Sequence, residues 1–224
     1  MRRSGPPVHA ERPGPRSLLA CVGLVLSVAL AGCMTGQRPT LGTAPTVVGL
    51  QTGDANVDVV LTLLDGVSNA VFTAQYDATL RFGGTVTAVT VTQDGPSHRS
   101  VTIGDTRYIT DATGTRTCIV SAGTCAAGAD QQPISNTGVT SDLVFGDVAK
   151  RLRRFADTRT AATTAGQNTI AGQTAACVDL PLGTNVSTFC ALADGVLARL
   201  IDGDVTVELT SYAPTPDITL FTPA

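Results

Sequence analysis

The sequence predicts an α+β domain in which an antiparallel sheet is covered by two helices. Residues 72–82 alternate between apolar and polar side chains, which is the period of a half-buried strand. Several shorter extended segments follow, separated by turns that contain glycine. Two other segments, one from Asp54 and one from Ser141, repeat their apolar residues at helical spacing.

The composition favours one globular domain without a nucleic-acid partner. Hydrophobic residues make up 43% and charged residues 15%, with 23 Gly and no Trp, which is typical of a β-rich, turn-rich fold. Four of the 15 basic and one of the 18 acidic residues precede residue 33, so 11 basic and 17 acidic residues remain. This acidic balance argues against nucleic acid, because neutralising phosphates requires a basic face.

The first predicted helix and strand open the domain. Asp54 is a candidate N-cap, and the helix places on one face Val57, Val60, Leu61, Leu64 and Val67. The strand then places on its inward face Phe72, Ala74, Tyr76, Ala78, Leu80 and Phe82. Gly83-Gly84 turns it into a second strand, in which the apolar phase shifts from Val86 and Ala88 to Val89 and Val91 and predicts a β-bulge.

The remaining elements complete a sheet and its cover. Strands are expected near 99–103, 107–110, 115–120, 168–170, 174–180, 186–192, 196–201 and 205–212. Ser141 is the candidate cap of a second helix with an apolar stripe of Phe145, Val148, Ala149, Leu152, Phe155 and Ala156. Six or more turn-linked strands need cover on their apolar face, and the two helices supply it.

The amino-terminal segment predicts export and lipid attachment. Four arginines precede an apolar run over 17–31, as in a signal peptide. The run ends in Leu30-Ala31-Gly32-Cys33, which resembles the lipobox of bacterial lipoproteins. That resemblance implies cleavage before Cys33, a diacylglyceryl thioether on its sulfur and acylation of the new amino terminus. The alternative is an uncleaved anchor helix with an incidental cysteine.

We therefore expect three segments: a signal peptide over 1–32, a lipidated cysteine with a flexible tether over 33–49, and a domain over 50–224. The tether is rich in Thr, Pro and Gly and lacks apolar periodicity. The expected location is the extracytoplasmic face of the cell membrane, where the lipid anchor holds the protein.

Four cysteines remain for the domain, namely Cys118, Cys125, Cys177 and Cys190. An even number in an exported chain predicts two disulfides. Three connectivities are open, and the local one, 118 to 125 and 177 to 190, joins adjacent extended segments. A zinc site is the alternative, but neither pair has Cys-x-x-Cys spacing and His98 is the only histidine after the leader.

The order of elements resembles the lipoprotein-carrier superfamily, which includes the periplasmic carrier of outer-membrane lipoproteins and lipid-carrying lipoproteins of the mycobacterial envelope. The resemblance spans roughly 54–224 and is most specific in the tail Asp217-Ile218-Thr219-Leu220-Phe221-Thr222-Pro223. It implies a curved sheet, an incomplete barrel, whose concave side encloses an apolar cavity for acyl chains beneath the helices. It brings no catalytic motif, and the two cysteine pairs depart from the carrier.

The resemblance and the inward apolar row together predict a set of lipid-binding residues. These are Phe72, Tyr76, Leu80 and Phe82 on the sheet, with Leu143, Phe145, Leu152 and Phe155 opposite. Plain core is the alternative for the same side chains, whereas the alanines at 74, 78 and 88 favour a cavity because small side chains leave volume. The basic residues Lys150, Arg151, Arg153 and Arg154 either contact anionic headgroups or form a solvated face.

We expect no enzyme, cofactor or metal. A serine hydrolase would depend on His98, and the sequence contains no Gly-x-Ser-x-Gly turn. The expected function is binding or carrying of lipid, acyl chains or a lipoprotein by a membrane-anchored protein. The alternative is a structural or sensory envelope protein whose sheet binds a protein partner, which a filled core with an exposed apolar patch would favour.

Overall fold

The computed structural model describes residues 49–222. The predicted signal peptide, Cys33 and the predicted tether up to residue 48 lie outside this range. Across residues 49–222, no helix combines the length and the hydropathy needed to cross a bilayer.

An open antiparallel sheet of eleven strands forms the domain. The strands are β1 (Val71–Leu80), β2 (Val86–Asp94), β3 (Arg99–Ile103), β4 (Thr106–Asp111), β5 (Gly114–Ile119), β6 (Thr124–Ala127), β7 (Thr164–Ile170), β8 (Gln173–Leu182), β9 (Asn185–Leu192), β10 (Leu197–Ile201) and β11 (Val205–Ala213). Two meanders, β1 to β6 and β7 to β11, join where β1 pairs with β11, and β6 and β7 are the outermost strands. With its two helices, this curved, unclosed sheet confirms the predicted fold class.

The apolar alternation of β1 produces its buried face. Phe72, Ala74 and Tyr76 are at most 1% exposed and join one continuous core cluster. The predicted bulge in β2 is wrong, because β1 and β2 pair without a register shift and Val86 lies outside the core. The register of β1 shifts instead against β11, between Gln75 and Tyr76.

Helix α1 (Ala55–Gly66) begins where it was predicted. The Asp54 side chain accepts hydrogen bonds from the backbone N–H groups of Asn56 and Val57, which satisfies two donors of the first turn. Its buried residues are Val57, Val60, Leu61 and Leu64, which pack towards β8, β9 and the second helix. A short 3-10 turn, Val67–Asn69, links the helix to β1.

The second helix differs from its prediction at the start. A π-helical turn, Leu143–Asp147, precedes α2 (Val148–Thr158). Ser141 does not cap it, because its backbone N–H and its hydroxyl both bond the side chain of Gln131, at 3.1 Å and 2.6 Å. The predicted apolar stripe is nevertheless buried through Val148, Ala149, Leu152 and Ala156.

The carboxyl-terminal tail lies against the face of the sheet that is opposite the helices. The backbone N–H of Asp217 donates to the hydroxyls of Thr73 and Thr92, at 2.8 Å and 3.0 Å. A 3-10 turn, Ile218–Phe221, follows, and the Phe221 ring stacks on His98 with the centroids 3.8 Å apart. The tail therefore covers polar strand positions such as Thr92, which is completely buried.

Candidate ligand-binding cleft

Most of the predicted lipid-binding side chains are brought together, but as packed core. Phe72 and Tyr76 are at most 1% exposed, and Leu143, Phe145 and Leu152 at most 6%. All five belong to the continuous cluster, with Phe155 packed half-buried against it, and Leu80 is also half-buried. The alanines at 74 and 78 are likewise fully buried, whereas Ala88 is exposed. These side chains fill the space that a ligand between them would need.

Phe82 does not lie on the inward face, and this part of the prediction is wrong. The strand ends at Leu80, whose N–H donates to the carbonyl of Thr85 at 2.9 Å. The chain then turns through Gly83 and Gly84, both with positive φ. Phe82 is therefore at the tip of the β1–β2 hairpin, where it is 96% exposed.

The basic residues of α2 are largely engaged in ion pairs. Arg151 lies 2.6 Å from Asp202, Lys150 lies 3.5 Å from Asp147, and Arg153 pairs with Asp65. The Arg154 guanidinium lies 5.6 Å from the centre of the Phe155 ring. Arg151 and Arg153 thus fix α2 to other elements, whereas the pair of Lys150 with Asp147 is local and exposed. With three of the four cations paired, the case for a headgroup-binding cluster is weaker.

An open apolar cleft lies between α1 and the sheet edge formed by β7 and β8. Its volume is about 330 Å³, within the lower part of the range for small-molecule sites. Its lining is Asn56, Val59 and Val60 from α1, Ala165, Gly166 and Gln167 from β7, and Ala176 and Cys177 from β8. Val59 is 57% exposed, so the cleft opens to solvent.

Small side chains on the sheet edge create this cleft. Gln167 pairs with Ala176 and Ala165 with Val178 across the β7–β8 ladder. Helix α1 packs against β8 and β9 and makes few contacts with β7. Neither alanine side chain is long enough to fill the space that remains between α1 and β7. The structure thus leaves apolar volume at an edge of the sheet and fills its centre.

A polar cavity of about 540 Å³ adjoins the apolar cleft. Asn56 lines both, and its side-chain amide donates to the carbonyl and the hydroxyl of Thr163, at 3.2 Å and 3.1 Å. The Thr163 hydroxyl also donates to Asp54 at 2.9 Å, and the Arg159 guanidinium lies 3.3 Å from the same carboxylate. The rest of the lining combines the polar Asp157 and Thr160 with three alanines, Ala156, Ala161 and Ala162.

The ionised form of Asp54 is favoured in this setting. Partial desolvation raises its pKa, but the hydrogen bonds from Thr163 and from the backbone of Val57 and Asn56, together with the Arg159 cation, outweigh it. The pKa of Asp54 is consequently lowered from its ordinary value. The cavity wall therefore keeps a paired carboxylate, hydroxyls and an amide as hydrogen-bonding groups.

The cleft offers an apolar surface that includes Val59 and Ala176, next to the side-chain amide of Asn56 and the hydroxyl of Thr163. Cys177, which lines the cleft, lies 2.06 Å sulfur to sulfur from Cys190, and Cys118 lies 2.03 Å from Cys125. Within residues 49–222, no three His, Cys, Asp or Glu side chains are grouped to hold a metal ion.

Comparison with known proteins gives similarity in structure only. No protein-family model and no curated protein sequence matches the chain. Similar solved structures include MucB of Pseudomonas aeruginosa in complex with MucA, at 12% identity and a TM-score of 0.48, covering 76% of this chain and 62% of that one. The chain thus spans less than two thirds of the MucB chain it matches.

Two further similar structures are matched over most of their own length. A LolA-superfamily protein of Nitrosomonas europaea has 8% identity and a TM-score of 0.36, with 73% of this chain and 97% of that one covered. A putative outer-membrane lipoprotein-sorting protein domain of Vibrio parahaemolyticus has 6% identity and a TM-score of 0.30, with 70% and 92% covered. At these values the likeness says nothing about a ligand of this chain.

The residues of the cleft were not among the predicted lipid-binding residues. Val59 lies off the apolar stripe of α1 and reads as a solvent-facing side chain in the sequence. The available signal was the run Ala165-Gly166 and the pair Ala175-Ala176, where small residues follow one another in predicted or neighbouring extended segments. Such a signal becomes informative only once the position of α1 is known.

Proposed function

We propose that this protein is a non-enzymatic, extracytoplasmic lipoprotein that binds an acyl chain of a lipid or a lipidated molecule in the cleft between α1 and the β7–β8 edge. The leader, the lipobox-like Leu30-Ala31-Gly32-Cys33 and the even number of remaining cysteines support export and anchoring. The proposed organisation is a signal peptide over 1–32, an anchored tether over 33–49 and the binding domain over 50–224.

The open apolar cleft beside a polar cavity is the observation that carries the proposal. Burying acyl methylenes contributes about 0.8 kcal/mol each, so even a partly enclosed chain gains useful affinity. The polar end of such a molecule meets Asn56 and Thr163, both of which can hydrogen-bond without a change of charge. This pairing of apolar and polar compartments fits an amphiphile better than a wholly apolar ligand.

Binding of a fluorescent fatty acid, with native mass spectrometry of protein from its host, tests this function. Val59→Asp places a carboxylate in the apolar cleft and should abolish probe binding, because a bound acyl chain would bury that charge without a partner. Ile218→Asp is the control: Ile218 lies on the tail and is 71% exposed, compared with 57% for Val59, so neither change should unfold the domain.

The proposal fails if no lipid accompanies the native protein and the probe does not bind. It also fails at this site if the two aspartate variants bind the probe equally well. Circular dichroism of both variants checks that each remains folded.

The anchor has its own test. Cys33→Ala should move the protein out of the membrane fraction or leave it with an uncleaved leader, because the lipid is then lost. A mature protein that starts elsewhere and has no lipid mass contradicts the anchor without bearing on the cleft.

A protein partner is the second candidate, and the edge strand β7 favours it. Six of its seven residues are exposed, and the strand contains no charged residue and no proline. Natural edge strands usually carry such residues to block pairing with another chain. An extended peptide could therefore add to β7 by backbone hydrogen bonds. Thr169→Lys should weaken strand addition and leave probe binding unchanged, which separates the two functions.

A further inference from the structure

The tip of the β1–β2 hairpin is the most exposed apolar feature among the described residues. Phe82 is 96% exposed, although aromatic side chains usually bury most of their area. The hairpin is well defined beneath it, since the N–H of Gly84 donates to the carbonyl of Leu80 at 3.1 Å. Arg81, next to Phe82, donates from its guanidinium to the carbonyl of Asp202 at 3.1 Å. The ring is therefore held out from the domain by an ordered turn.

Two exposed valines lie at the same end of the sheet. Val86 begins β2 and is 58% exposed, and Val186, near the start of β9, is 51% exposed. The register shows that these positions share one end: the last residue of β1 pairs with the first of β11, and the last residue of β8 with the first of β9. The hairpin tips of β1–β2, β8–β9 and β10–β11 thus lie at the same end of the sheet.

The polar cavity lies close to this end as well. The loop that lines it is tied to the β8–β9 hairpin, where the N–H of Thr160 donates to the carbonyl of Pro181 at 2.9 Å. The N–H of Gly183 in turn donates to the Thr160 hydroxyl at 3.0 Å. A surface that meets this end therefore comes near the entrance of the proposed binding site.

We propose that this end of the sheet, led by Phe82, inserts into the interface of the bilayer to which the chain is anchored. The inference rests on the lipid anchor of the proposed function. Phenylalanine together with basic side chains is a combination found in segments that lie in a membrane interface. One projecting ring with two valines offers far less area than the roughly 800 Å² per partner of a stable protein interface, so a lipid surface is the occupant that fits.

The tether is long enough for this contact. The carboxylate of Asp65, in the last turn of α1, accepts from the N–H of Gly49, so the chain enters the domain at the end away from Phe82. β1 has 10 residues and covers about 33 Å at roughly 3.3 Å per residue. Cys33 precedes Gly49 by 16 residues, and a chain of that length reaches at most about 53 to 58 Å. The hairpin tips can therefore reach the bilayer that holds Cys33.

The sequence permits an unusually clean test, because the chain contains no tryptophan. Phe82→Trp introduces a single fluorophore at the tip, and Ile218→Trp introduces one at a control position that is 71% exposed on the tail. Each full-length lipoprotein, purified in detergent, is reconstituted into phosphatidylcholine–phosphatidylglycerol vesicles with or without brominated acyl chains. Insertion predicts a shift of the F82W emission to shorter wavelength and strong quenching by the bromines, with I218W unaffected.

Each outcome decides between the readings. F82W emission that stays as in buffer while the protein floats with the vesicles overturns the insertion, as does equal quenching of F82W and I218W. Protein that does not float refutes the tether and the insertion together. Fatty-acid binding is measured on the same samples, so loss of insertion with intact probe binding leaves the proposed cleft standing. A blue shift of the F82W emission without bromine quenching indicates that the ring contacts protein, and it also refutes insertion into the bilayer.

Discussion

Gly195, in the turn between β9 and β10, lies in close contact with the backbone at the end of α1. A Cβ atom added there would lie 2.2 Å from the carbonyl oxygen of Leu63 and 2.9 Å from the backbone nitrogen of Val67. Both are backbone atoms at the end of α1, so no side chain can move aside. Gly195→Ala should therefore push α1 away from the sheet.

The expected cost has two parts. Gly195 has a φ of +87°, and an alanine in this left-handed region costs about 1 to 2 kcal/mol. Moving the end of α1 to relieve the contact adds about 1 to 3 kcal/mol, the usual cost of overpacking. Gly183 is the matched control, since its φ is +65° and an added Cβ would have no atom within 4 Å. Gly183→Ala should lower the free energy of unfolding by the backbone cost alone.

Urea unfolding followed by far-ultraviolet circular dichroism, with disulfides intact, measures the difference. The free energy of unfolding of Gly195→Ala should lie about 1 to 3 kcal/mol below that of Gly183→Ala at an unchanged m-value. Fatty-acid binding should weaken in the first variant alone, because α1 forms one wall of the cleft. Equal losses in the two variants would refute the claim that this glycine sets the position of α1.

Three further experiments test the fold. Asp202→Asn should lower the free energy of unfolding in urea by about 2 to 4 kcal/mol, because the Asp202 side chain is 2% exposed and its loss leaves Arg151 unpaired. Glu208→Gln, which removes the partner of Arg199 at a side chain 42% exposed, should lower it by about 1 kcal/mol or less, and equal losses would contradict this difference. Non-reducing peptide mapping should recover the two local disulfides, each stabilising by about 2 to 4 kcal/mol, and crossed pairs would overturn the β5–β6 and β8–β9 pairings. Because folding lowers the pKa of Asp54, its contribution to the free energy of unfolding is complete above the unfolded pKa near 3.8 and is lost as the pH falls below that value. The free energy of unfolding of Asp54→Asn should therefore fall less steeply in acid than that of the native protein, and parallel pH profiles would argue against this role of Asp54.

The sequence predicts elements well where one local pattern decides them. Alternation in β1 and the cap at Asp54 each depend on neighbouring residues, and both appear in the structure. Phe82 fits the same alternation but lies beyond the end of the strand. The alternation of side chains does not show at which residue strand pairing stops, so the sequence alone placed Phe82 on the inward face. The start of α2 was misjudged for a related reason, since the Ser141 side chain bonds Gln131 from a distant loop.

The site was harder to predict than the fold, because a cleft is a property of two elements and not of one. The inward apolar row on β1 suggested a cavity, yet α1, α2 and the turn at Leu143–Asp147 fill the centre of the sheet. The volume remains at the edge, where Ala165 and Ala176 face α1. No pattern within β7 or β8 alone distinguishes such an edge from ordinary solvent-facing strands.

An open cleft at the sheet edge has a consequence for how a lipid would be held. Val59 stays 57% exposed, so the methylenes of a bound chain would remain partly in water and contribute less than the full 0.8 kcal/mol each. Affinity would then be moderate and release fast, since most differences in affinity between related complexes are in the dissociation rate. A ligand held in this way suits exchange with a nearby bilayer better than long storage. Insertion of the Phe82 tip would place the cleft next to that bilayer and shorten the path of an acyl chain through water.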